Sequence, residues 1–188
     1  VPGSFRDRGS RVATHEDQIF RCLDDQAWKD WQAISNTPFF RDASARGHLV
    51  PTTEVAADQR TRLPPPLPDS AGLLRHERVP FVSYPYEWPF AFLKRAALLH
   101  LALMERALRD DVILKDASPY NVQFRGTEPV FIDIGSFERL REGEPWAGYR
   151  QFCQQQLYPL MLQSFRDVPY QPWLRGALEG IAPLELRN

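Results

Sequence analysis

Lysine is nearly missing from this chain. Of its 23 basic side chains only Lys29, Lys94 and Lys115 are lysines, and none lies in the first 28 residues. Positive charge is therefore carried by arginine, whose planar fork suits fixed, hydrogen-bonded contacts better than a compact ammonium does. The net charge is −1 and no run of like charge stands out, so nucleic acid is not an expected partner. Cysteine is scarce as well. Cys22 and Cys153 lie far apart, without metal-ligand spacing or a nearby His pair, which argues against a disulfide or zinc framework and makes a reducing cytosol, hence a cytoplasmic location, the expected setting. No stretch of about eighteen uncharged apolar residues occurs and the N-terminus has no signal-like apolar segment, so no membrane partner is expected. His15, His48, His76 and His100 are scattered and read as surface or core-edge residues rather than ligands.

What is present is enough for a sizeable core: 188 residues with 43% hydrophobic content, five Trp and twelve Phe can fill one domain or two small lobes. Residues 11–23 read as a hairpin around a polar tip, Glu16-Asp17-Gln18. Asp24 to Ile34 has Ala27, Trp28, Trp31 and Ile34 at helical spacing behind an Asp-Asp start, with the Trp pair read as core. A shorter helix is expected over Phe39–Ala45. Residues 53–72, with Pro64-Pro65-Pro66 and Pro68, have the composition of an extended loop that buries nothing. A β-leaning run from Leu73 to Tyr84 is broken by Pro85-Tyr86-Glu87-Trp88-Pro89. Phe90 to Arg109 is the strongest helical pattern, with Lys94, Arg95, His100, Glu105, Arg106 and Arg109 on a narrow polar face, and Trp146 to Phe165 reads as a second amphipathic helix stopped by Pro169 and Pro172.

The chemistry concentrates in Lys115-Asp116-Ala117-Ser118-Pro119-Tyr120-Asn121 and in Asp133-Ile134-Gly135, whose Asp follows Asn121 by twelve residues. Val122-Gln123-Phe124 and Val130-Phe131-Ile132 flank a polar stretch containing Gly126 and Pro129, the pattern of a hairpin that would return Asp133 to Asn121. An amide oxygen and a carboxylate at one place suit Mg²⁺, which takes hard oxygen ligands and commonly only one or two protein carboxylates alongside phosphates and water. The plain structural alternative is that Asp116 and Asn121 shape a turn.

The order hairpin, helix, strand, break, long helix, Asp-x-x-x-x-Asn, hairpin, Asp-x-Gly resembles a protein-kinase-like fold of the α+β class, with a reduced N-terminal lobe (1–85) and a mainly helical C-terminal lobe (86–188). Ser118-Pro119 after the Asp is more similar to small-molecule kinases of the aminoglycoside and choline type. The segments 80–88, 114–124 and 129–138 further resemble the N-terminal portion of bacterial S-adenosylmethionine-dependent methyltransferase proteins, including nodulation-type ones. The resemblance implies Asp116 as base or orienting group and Lys115 as a charge at the transferred phosphate. It implies Asn121 and Asp133 as Mg²⁺ ligands, and Arg21, Tyr86 and Glu87 as contacts to ATP. It also implies that this chain is part of a longer protein, with S-adenosylmethionine bound only in a domain beyond Asn188, and that its partner is a small-molecule substrate or a domain of the same protein.

Departures from the pattern leave activity open. No Lys lies in the first 28 residues and the first predicted helix has no Glu, so the ion pair that holds nucleotide phosphates in kinases is missing; Leu114 stands where those enzymes have His, and residues 2–10 make an irregular glycine-containing loop. Arg21 with Asp25 or Asp30 is the nearest substitute. A methyltransferase site within this chain is rejected, because Phe137 replaces a glycine of the cofactor turn and only 53 residues follow Gly135, too few for a doubly wound sheet. Three readings follow: a transferase-associated module with a phosphotransferase-type site, a non-catalytic docking module, and an active small-molecule kinase.

Overall fold

A computed structural model describes residues 9–65 and 67–187. The expected glycine-containing loop falls almost entirely outside the described residues. Strands β1 (Ser10–His15) and β2 (Gln18–Leu23) form the expected hairpin, closed by Glu16 and Asp17 alone, both at positive φ, while Gln18 already pairs with His15. Helix α1 (Asp25–Ser35) starts where Asp24 accepts from the Ala27 amide, and α2 (Pro38–Ala45) where Thr37 accepts from that of Phe40. Both are side-chain N-caps that satisfy an otherwise orphaned amide.

Strand β3 (Thr52–Glu54), the short helix α3 (Ala57–Arg60) and β4 (Gly72–His76) complete an antiparallel sheet of order β1-β2-β4-β3. This corrects two expectations. The proline-rich stretch does bury residues: Val55 and Leu67 pack with Phe20 and Leu73, because one face of the sheet would otherwise be bare. It is held by Arg60, which donates to the carbonyls of Val55, Ser70 and Ala71. The β-leaning run after Leu73 stops pairing at His76, and Phe81 and Val82 beyond it are exposed.

Helix α4 (Phe90–Leu108) crosses the core beside β5 (Val112–Leu114), and β6 (Val122–Arg125) pairs with β7 (Glu128–Phe131) as expected. The polar-face assignment of α4 is wrong at His100, which is fully buried against Phe131, while Leu98 and Leu101 are exposed. Strand β8 (Phe137–Arg139) pairs with β5.

The second amphipathic helix begins at Tyr149 rather than Trp146. It runs as α5 (Tyr149–Phe152), a π-turn (Cys153–Leu157) and α6 (Tyr158–Arg166), and ends where Asp167 adopts a left-handed conformation. Helices α7 (Gln171–Gly176) and α8 (Pro183–Arg187) follow. The architecture is α+β. One core cluster joins Leu23, Trp31 and Leu74 to Leu93, Leu103 and Leu174, so the two sides of the expected lobe division share apolar packing.

Candidate functional site

The β6–β7 hairpin decides the site. Val122 pairs with Phe131 and the Ile132 amide donates to the Asn121 carbonyl at 2.8 Å, so the residues just before and just after the hairpin are neighbours. The loop from β5 is tied to the same place, since Lys115 donates its amide to the Ser136 carbonyl at 2.8 Å. Ser136 then links the motifs through its side chain: its hydroxyl donates to Asp133 Oδ2 at 2.6 Å and accepts from the Asn121 amide at 3.4 Å. Asp116 closes the group. Its Oδ1 accepts from the Ser118 amide at 2.8 Å, and its carboxylate hydrogen-bonds Asn121 and Gln151. Burial pushes the Asp116 pKa up, helped by the nearby Asp133 charge, while the bond from Ser118 opposes the shift.

The sheet supplies the cation. Arg21, 7% exposed, places Nη2 at 2.6 Å from Asp133 Oδ1, donates from Nη1 to Ser10 Oγ at 2.7 Å and points Nε at His76 Nε2 across 3.4 Å. Gly135 permits the approach, because a Cβ there would meet Arg21 Nη1 at 3.1 Å and Ser10 Oγ at 3.2 Å. Beside the pair lies a cleft of about 170 Å³, floored by Trp31, Ile34 and Phe137 and rimmed by Asp24, Asp30 and Lys115. Lys115 is exposed and its ammonium lies 3.8 Å from Glu138.

Asp116, Asn121, Asp133 and Arg21 therefore converge, with Lys115 at the edge. Tyr86 and Glu87 lie elsewhere, on the segment before α4. Tyr86 stacks on Tyr84 at 5.4 Å, and Glu87 accepts from the Tyr84 amide at 2.8 Å. Tyr84 in turn faces Tyr120 at 6.5 Å, which is the link from that segment to the Asp116 loop.

The sequence reading missed what supports the loop. Gln151 accepts from the Ala117 amide at 2.8 Å, Gln155 accepts from the Ser118 hydroxyl at 2.9 Å, and Gln156 donates to the Ala117 carbonyl at 2.7 Å. In an unbroken α-helix residues 151 and 155 share a face and 156 turns away. The π-turn adds the residue that brings all three to the loop, a placement such bulges often have at functional sites.

Among the described residues no group of three or more His, Cys, Asp or Glu gathers as a metal site. The Asp133 carboxylate with the Asn121 amide oxygen makes a hard-oxygen pair that fits Mg²⁺ when phosphates and water complete the shell. Asp133 Oδ1 is buried and contacts Arg21 without a well-directed hydrogen bond, which leaves a lone pair for such an ion.

No protein-family model matches the chain. Over 181 residues it is 38% identical to the nodulation protein NoeA of Rhizobium meliloti (strain 1021), an alignment covering 96% of this chain and 37% of that protein. The chain thus spans little more than a third of the length of the relative it matches. No helix among the described residues is long and apolar enough to cross a membrane.

Proposed function

We propose that the chain is a kinase-like module of a longer protein, and that Asp133 and Asn121 hold Mg²⁺ with a nucleoside triphosphate. The observation that carries this reading is the Arg21–Asp133 contact, which sets a strand cation against the carboxylate of the Asp-x-Gly turn at 2.6 Å. Phosphoryl transfer asks mainly for positioning and charge neutralisation, and Mg²⁺ would supply the latter between the phosphates. Asp116 would orient an acceptor hydroxyl and take its proton, a role helped by a carboxyl whose pKa burial has raised. Lys115, exposed at the rim, is free to swing from Glu138 toward a phosphate. The wider assignment, a transferase-associated protein whose S-adenosylmethionine-dependent domain lies outside this chain, is part of the same proposal and rests on the resemblance of segments 80–88, 114–124 and 129–138.

A docking module without catalysis is the second reading. It is favoured by the same arginine, whose hydrogen bonds to Ser10 and His76 and ion pair with Asp133 commit it to joining the sheet to the turn rather than to phosphate. ATP turnover with hydroxylated small molecules separates the two. If the module transfers phosphate, Asp116→Ala lowers turnover roughly 10²–10⁴-fold. Wild-type turnover equal to that of Asp116→Ala would leave Asp116 a turn residue and favour docking.

A further inference from the structure

We propose that His76 is a positioning residue for Arg21, its Nε2 accepting from the guanidinium Nε and so fixing where the two remaining nitrogens of the fork point. The inference rests on the reading of Arg21 as the cation of the site. His76 ends β4, beside the strand that carries Arg21, and is 7% exposed. Its tautomer can be read from its neighbours. Thr52 Oγ1 lies 2.9 Å from the Val50 carbonyl and 2.8 Å from His76 Nδ1. A hydroxyl has one proton, and a carbonyl can only accept, so Thr52 donates to Val50 and must accept from Nδ1–H. A neutral imidazole protonated at Nδ1 carries its lone pair on Nε2, which is the atom facing Arg21 Nε at 3.4 Å.

An imidazolium would instead oppose one donor with another beside a fixed positive charge. The geometry therefore asks for a permanently neutral His76. With Nε directed at His76, Nη1 at Ser10 and Nη2 at Asp133, the plane of the guanidinium is set by three partners from β4, β1 and the turn after β7. An ammonium carries all its donors on one atom and cannot reach three such directions. This gives a physical reason for arginine at the position where the kinase resemblance expects lysine.

The test is ¹⁵N nuclear magnetic resonance of the full chain at neutral pH, with hydrogen exchange read at Arg21 Nε–H. His76 should be protonated at Nδ1 and bare at Nε2. His76→Leu should speed Arg21 Nε–H exchange roughly tenfold, the size expected for losing one hydrogen bond to a charged group. His76→Gln, whose side-chain oxygen can accept, should restore most of that protection. An Nε2–H tautomer, a charged ring, or unchanged exchange in His76→Leu would overturn the proposal; if that variant does not fold, the wild-type tautomer decides. Mg·ATP titration of the same samples tests the nucleotide reading separately, since a chain that binds no nucleotide can still show the predicted tautomer and exchange.

Discussion

Arg21 Nη2 and Asp133 Oδ1 meet at 2.6 Å with side-chain exposures of 8% and 26%, so one ion pair fastens the N-terminal sheet to the turn that follows β7. Removing one partner leaves the other charge uncompensated in a largely buried setting, which destabilises the fold. Arg21→Met and Asp133→Asn should each lower the urea midpoint clearly, and the double variant should lose less than their sum. Additive losses in that cycle would mean that the two groups do not stabilise each other.

Gln156→Leu removes the donor to the Ala117 carbonyl while keeping similar volume in a fully buried site. A buried carbonyl left without its partner costs about 1–3 kcal/mol. Urea unfolding should show that loss, and amide exchange at 116–118 should quicken more than in β1 or β2. An equal change everywhere would remove the glutamines' specific hold on the loop.

Gly72→Ala should be severe. A Cβ at this strand position would sit 2.0 Å from Cε3 of Trp28, and the ring is boxed in by the guanidinium of Arg60, 5.8 Å from its centroid. Overpacking of this kind costs about 1–3 kcal/mol or more. Pairing the change with Trp28→Leu should recover part of the loss in melting temperature, and no recovery would place the strain elsewhere.

Acid should destabilise the fold before ordinary carboxylates titrate. Burial lowers the His76 pKa from 6.5 to about 3, with Arg21 adding to the effect, and lowers that of His100 to about 4. Between those values and 6.5 the unfolded chain binds protons that the folded chain refuses, so stability falls as pH drops through that window, by several kcal/mol in all. Asp116 works in the opposite sense, since its raised pKa lets the folded chain take up a proton sooner. A flat melting temperature between pH 7 and pH 5 would contradict the burial of both imidazoles.

Much of this site was legible because its signals are local. The β6–β7 hairpin has β-prone runs around Gly126, which sits at φ 62° in the turn, and the hairpin alone brings Asn121 to Asp133. Helix α1 carried its cap, Asp24, in the sequence. The glutamine support was not legible, because under a 3.6-residue period Gln151 and Gln155 share a face that Gln156 leaves, and it is the π-turn that brings the three to one loop. His76 and His100 escaped for a related reason: a buried, partnered imidazole has no sequence signature of its own. The proline-rich stretch misled because composition reports chain flexibility and not the bare sheet face that Val55 and Leu67 cover.

The central claim, a Mg²⁺–nucleotide site at Asp133 and Asn121, is tested most directly by thermal unfolding with and without millimolar Mg·ATP, each variant compared with its own ligand-free state. A ligand bound only by the native chain at a hundred times its dissociation constant adds about 2.7 kcal/mol, so the wild type should melt several degrees higher. Asp116→Ala should keep most of that shift and Asp133→Asn should lose it. A wild type whose melting temperature does not move, or an Asp133→Asn variant that moves as far as the wild type, would contradict the account.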